Sequence, residues 1–140
     1  MVSRRTIFGA LAAAAAGLSG CGLGGGSLDS ALTAAAEGVD GVTSASLEQA
    51  TEAEFRRIIR GEVQTDAADR PAALEIFDGV MSALVGAVRE RRDAEDLLSR
   101  AVDPIALHDA AGTAYSVWDL RPDLEAERTR TGRVSLSDFA

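Results

Sequence analysis

The chain has 140 residues, a formal net charge of −8, no lysine and a single cysteine. All 22 acidic residues follow Cys21, against twelve of the fourteen arginines, so the part after residue 20 carries −10; that balance excludes nucleic-acid or anionic-lipid binding through a general basic field. One cysteine excludes an internal disulfide, and the aromatics Phe8, Phe55, Phe77, Tyr115, Trp118 and Phe139 are too few to build stacking platforms for bases or sugars.

Residues 1–5 are short and positively charged through Arg4 and Arg5, and residues 7–18 run apolar through five consecutive alanines before small residues follow. This is the order of an export signal: charged region, apolar region, cleavage region. A spanning helix needs roughly 20 apolar residues, and the glycines from Gly20 onward interrupt the run sooner. The tetrapeptide Leu18-Ser19-Gly20-Cys21 resembles a bacterial lipobox. The resemblance implies diacylglyceryl transfer to the Cys21 sulfur, cleavage between Gly20 and Cys21, and a membrane-held amino terminus. Lipidation would also account for an unpaired thiol in an exported chain, and two acyl chains hold a protein at a membrane where one is marginal. "SRRTIF" at 3–8 resembles a twin-arginine export motif; two arginines equally suit the charged region of a general secretory signal, so both routes stay open.

The glycine-rich "GLGGGS" at 22–27 reads as a tether between the lipid site and a single domain at 28–140. Leu28, Leu32 and Ala35 fall at helical spacing ahead of Gly38, predicting a first helix over 28–38. Asp40-Gly41 reads as a turn into a strand from Val42. The segment 47–61 reads two ways. As a helix it has Ser46 and Gln49 as a capping box, early acids, late arginines and Gly61 as a stop. As a strand it places Phe55, Arg57, Ile59, Gly61 and Val63 on one face and Arg56, Ile58, Arg60, Glu62 and Gln64 on the other. Alternation that continues through Val63 and Thr65 favours a hairpin of 42–49 with 55–65.

Residues 69–91 predict a long amphipathic helix, capped at Asp69 or Arg70, with Pro71 in its first turn and Leu74, Phe77, Met81, Leu84 and Val88 recurring every three or four residues. Gly79 and Gly86 on or near that stripe suggest close packing as compensation for their low helix propensity. After the charged break at 89–96, residues 98–108 and 113–120 flank the turn-like "DAAG" and predict a second hairpin, with Pro104 demoting its first strand to an edge or bulge. Residues 121–133 read as a polar surface loop. Residues 134–140 read as a strand end or one helical turn, and their abrupt stop leaves a truncated carboxyl terminus open.

No catalytic constellation is legible. His108, the sole histidine, lies beside the predicted turn and reads as a solvent-exposed turn residue; no serine elbow accompanies it. One histidine and one lipidated cysteine leave only carboxylates for a metal, without calcium-loop spacing. Glu48, Glu52, Glu54 and Glu62 are the candidates for paired-carboxylate hydrolysis, which lacks an aromatic cleft. Arg56, Arg57 and Arg60 form the densest basic cluster and read as a solubilising face; on a strand, Arg56 and Arg60 would share a side able to meet a carboxylate or phosphate. No cofactor or metal is expected.

The order helix, hairpin, helix, hairpin predicts an α+β domain with one long amphipathic helix packed on an antiparallel or mixed sheet. The stretch "RGEVQTDAADRPAALEIFDGVM" and the lipobox together resemble small actinobacterial-type lipoproteins of uncharacterised function, a resemblance without catalytic residues to carry over. The expected function is that of a lipid-anchored protein on the extracytoplasmic side of the cell membrane, held through Cys21, non-enzymatic, and presenting a sheet face or edge to an envelope protein partner. The alternative is a carrier of a small lipid, sugar or peptide, or an accessory hydrolase, using space around Phe77, Met81 and Trp118.

Overall fold

A computed structural model describes residues 27–128 and 133–140. Arg4, Arg5, Leu18, Ser19, Gly20 and Cys21, the residues of the predicted export and lipidation signals, lie outside them. The first helix, α1 (Leu28–Glu37), starts where Ser27 Oγ accepts the Ser30 amide and ends at Gly38, as its apolar spacing predicts. Leu28, Leu32 and Ala36 form its buried stripe. Gly41, at φ 95°, makes the turn into β1 (Val42–Thr51). A side chain there would be strained by the backbone and would lie 2.5 Å from Ile76 Cδ1.

The segment that read two ways is a hairpin. β1 pairs antiparallel with β2 (Arg57–Thr65) through a 3₁₀ turn at Ala53–Phe55, in a register that runs from Val42 opposite Thr65 to Thr51 opposite Arg57. The competing helix loses because Ile59, Val63 and Thr65 all turn inward at period two, a pattern one helix face cannot bury. Ile58 is buried as well, beside an isolated parallel bridge to Ala101.

The long helix α2 (Arg70–Arg89) is capped by Asp69, whose Oδ1 accepts the Ala72 amide at 3.0 Å. It buries Ala73, Phe77, Val80, Met81, Leu84, Val85 and Val88. Gly79 lets α2 approach the turn between α1 and β1, since a Cβ there would stand 3.2 Å from Val39 Cγ1; Gly86 has no neighbour within 4 Å, so close packing does not account for it.

Beyond α2 the predicted second hairpin needs correction. The charged break folds into a short helix, α3 (Ala94–Leu98), which buries Leu97. The strand β3 spans only Ile105–His108 and runs parallel to β2, while β4 (Ala114–Ser116) pairs antiparallel with β3. The sheet order β1-β2-β3-β4 therefore makes β3 an interior strand, not an edge. Pro104 permits this because it stands one residue before the ladder, where no amide is asked of it. The residues after β4 turn into α4 (Val117–Leu120) because Ser116 and Asp119 form a capping box: the Ser116 amide donates to Asp119 Oδ2 at 2.8 Å. Trp118 and Leu120 are thus helical. The expected polar loop contains α5 (Pro122–Arg128), which begins at a proline and carries Asp123 and Glu125 in its first turn, the arrangement that suits a helix amino terminus.

The carboxyl-terminal segment serves both predicted roles. Ser135 bridges Ala101, and Leu136–Phe139 forms a 3₁₀ turn capped by Ser135 and Asp138. The result is the expected α+β class: a four-stranded mixed sheet with α2 packed on it and the apolar core between them.

Candidate functional site

The core face of the sheet is closed by α2; the opposite face carries the polar side chains that alternation assigns to it. Along β1 these are Ser44, Ser46 and Glu48; along β2, Arg60, Glu62 and Gln64; along β3, Ala106 and His108; along β4, Ala114 and Ser116. Ser46, Glu48, Arg60, Gly61, Glu62, Pro104 and Ala106 line a shallow groove of about 500 Å³. The small side chains of Ser46 and Ala106 and the bare backbone at Gly61 form its floor.

Two cross-strand pairs organise this face. Arg60 Nε donates to Glu48 Oε2 at 2.8 Å, directly across the β1–β2 ladder, with both side chains about half exposed. His108 Nε2 lies 2.7 Å from Glu62 Oε1, bridging β3 and β2. His108 is therefore a strand residue, its side chain 20 % exposed, and not the solvent-exposed turn residue the sequence suggested. Position explains the difference: the turn begins one residue later, at Asp109. Exposed pairs of this kind contribute little to stability, typically up to about 1 kcal/mol, so their chief effect is to hold polar and charged groups at fixed places along the groove's borders.

Asp109 builds the turn that ends β3. Its Oδ1 accepts the amides of Ala111 and Thr113, both at 2.9 Å, and its Oδ2 accepts the Tyr115 hydroxyl at 3.2 Å. The Thr113 amide is the main cause that holds the Asp109 carboxyl below the ordinary aspartate range, against the opposing effect of burial. Burial, then the Asp109 carboxylate, pushes the Tyr115 hydroxyl upward. Arg70 lies 5.7 Å over the Tyr115 ring. This cluster is a turn scaffold and faces no groove.

The sheet's β1 edge is closed by a device with no sequence motif. Glu37 Oε2, Thr33 Oγ1 and Asp29 Oδ1, spaced four apart on α1, accept the amides of Ala45, Leu47 and Gln49 at 3.3, 3.0 and 2.8 Å. Thr33 also donates to the Leu47 carbonyl at 3.3 Å. Alternate donors that an edge strand leaves open to another chain are thereby occupied. Nearby, the Arg100 side chain is 5 % exposed; Nη2 meets Asp96 at 3.1 Å, Nη1 donates to Gln49, and Nε is buried without a hydrogen-bond partner.

The remaining sequence candidates separate. Glu52 pairs with Arg133 at 3.0 Å, away from the groove that Glu48 and Glu62 line, and Glu54 sits at the hairpin tip. The four glutamates therefore do not converge on one cleft. Arg56 and Arg57 stand at the tip as well, apart from Arg60, which the ion pair with Glu48 engages. Phe77 and Met81 are completely buried in the core and Trp118 packs against it. Among the described residues, no three His, Cys, Asp or Glu side chains converge as metal ligands. Compared with family models, with curated proteins and with solved structures, the chain matches none.

Proposed function

We propose that this chain is a lipid-anchored cell-envelope protein, held through Cys21 on the extracytoplasmic side of the membrane, whose domain offers the polar face of its sheet to a protein partner. The anchor rests on the lipobox-like residues Leu18, Ser19, Gly20 and Cys21. The single observation that supports the choice of surface is the contrast between edge and face. The β1 edge has its amides taken by Asp29, Thr33 and Glu37, whereas the groove between Glu48–Arg60 and Glu62–His108 is open, floored by small side chains and bordered by charges of both signs. Such a floor admits a partner's side chains at close range, and the bordering charges supply orientation. The alternative of a small-ligand carrier or accessory hydrolase draws no support from Phe77 and Met81, which fill the core.

Intact mass and membrane fractionation of the wild type beside Cys21→Ala test the anchor. The wild type should lose residues 1–20, gain a diacylglyceryl mass and sediment with membranes, and the variant should do none of these; identical unlipidated, soluble products would refute it. Capture from detergent-solubilised membranes tests the face. A partner recovered by the wild type should be lost with Ala106→Arg, which fills the groove, and kept with Glu75→Arg on the exposed side of α2. Equal capture by both variants would move the interaction elsewhere.

A further inference from the structure

The tip of the β1–β2 hairpin is the least economical part of the fold. Glu54 and Phe55 adopt left-handed backbone conformations, at φ 65° and 62°, which side chains other than glycine take only at a cost. Phe55 is 91 % exposed, the one large hydrophobic side chain so presented among the described residues. A frayed loop would not hold this geometry, but the tip is braced. The Glu52 amide donates to the Arg56 carbonyl at 2.8 Å, and Glu52 is held by Arg133, which also reaches Asp103. Beyond the brace, Arg56 and Arg57 are exposed, and neither enters an ion pair among the described residues. An aromatic ring with two free guanidinium groups beside it suits the boundary between lipid headgroups and acyl chains, where the ring is desolvated and the arginines meet phosphate.

The position of α1 says which way this tip points. Asp29, Thr33 and Glu37 bond to Gln49, Leu47 and Ala45 in that order, so α1 runs antiparallel to β1 and its amino-terminal end lies beside the end of β1 that enters the tip. Five residues lie between Cys21 and Ser27, so the two are at most about 22 Å apart when the chain is fully extended. The tether therefore joins the domain at the end of the sheet that carries the tip, and a membrane attached at Cys21 lies within about 22 Å of that junction.

We infer that the Ala53–Arg57 tip is a membrane-docking finger, in which Phe55 enters the headgroup–acyl boundary of a phospholipid bilayer while Arg56 and Arg57 bind lipid phosphate. This rests on the reading of Cys21 as the anchor point. The negative charge of the domain does not decide the matter, because the contact is local: Arg56 and Arg57 outnumber Glu54, the one acid within the tip, and Glu52 at its base is paired with Arg133. Docking stands β1 and β2 on the bilayer and turns the polar sheet face sideways, toward partners in the same membrane.

The test places tryptophan at the tip. Full-length Phe55→Trp is held on mixed phosphatidylcholine–phosphatidylglycerol vesicles through Cys21, by its own lipid where mass spectrometry finds one and otherwise by coupling the chain's only thiol to a maleimide lipid. The expected result is a shift of the new emission to shorter wavelength, with loss of intensity on brominated acyl chains beyond that of Trp118 in the wild type. Arg56→Gln with Arg57→Gln should lessen that loss. In the wild type, amide exchange at 53–57 should slow on vesicles. Tip emission unchanged between vesicles and buffer, with unaltered exchange, overturns the inference and leaves the tip as a finger for a protein. Because attachment is secured either way, that result is distinct from a free thiol at Cys21, which would overturn the anchor alone.

Discussion

At the level of single residues, the sharpest constraint falls on two glycines of opposite meaning. Gly61, at φ 144°, faces Leu47 across the β1–β2 ladder, and a Cβ there would lie 2.0 Å from the Ser46 carbonyl oxygen. Backbone cannot yield as a side chain can, so Gly61→Ala should cost about 3 kcal/mol or more in urea denaturation. Gly86 is exposed in the last turn of α2 with open space around it, so Gly86→Ala should stabilise by up to about 0.5–1 kcal/mol in the same assay. Asp109 supplies a pH signature. Its folded pKa is lowered chiefly by the Thr113 amide, so its contribution is complete above the unfolded aspartate value of about 3.9 and fades as pH falls through the lowered folded value. The gap in denaturation midpoint between wild type and Asp109→Asn should therefore be constant near neutrality and narrow in acid. A gap that widens in acid would contradict this assignment. Tyr115, raised by burial, acts at the other extreme: its contribution is complete below about pH 10 and declines as pH rises through the higher folded value.

Among the secondary elements, α1 does more than add three apolar residues to the core. Its polar stripe substitutes for a neighbouring strand along β1, and Thr33 is the central member because it both accepts from and donates to Leu47. Thr33→Val keeps the shape and removes both bonds. The expected cost is about 1–2 kcal/mol, together with concentration-dependent association seen in sedimentation, since the freed amide reopens an edge. Loss of stability without association would mean that Asp29 and Glu37 suffice to block the edge. The short helices α4 and the carboxyl-terminal turn follow a common rule. Each begins at a serine whose amide is taken by an aspartate three residues on, in "SVWD" and in "SLSD", a capping signal readable in the sequence and, in "SVWD" alone, outweighed there by apparent strand alternation.

For the molecule as a whole, the last residues close the fold. Val134 and Leu136 are completely buried; the Val102 amide donates to the Val134 carbonyl at 2.8 Å and the Leu136 amide to the Arg100 carbonyl at 3.0 Å. This segment seals the side of the core next to α2 and α3. Leu136→Ala, four residues from the end of the sequence, should cost about 2–5 kcal/mol, as for an interior leucine. A cost below about 1 kcal/mol would show that the segment is merely laid on the surface. The same segment carries Arg133, whose guanidinium ties Glu52 at the hairpin base to Asp103 before β3, so the brace beneath the tip and the closure of the core share one stretch of chain.

Local order made much of this legible: α1 and α2 announce themselves by apolar recurrence and caps, Asp40-Gly41 marks the turn into β1, and the alternation through Val63 and Thr65 marks the first hairpin. These patterns are properties of neighbouring side chains, and the chain expresses them wherever it packs. The parallel pairing of β2 with β3 and the interior place of a strand that follows Pro104 depend on partners tens of residues away. So do the union of Glu62 with His108 and the bond that lays the start of α1 beside Gln49. Periodicity states which side of an element is apolar; it does not state which element will cover that side, and the open polar face exists because α2 found its place on the other one.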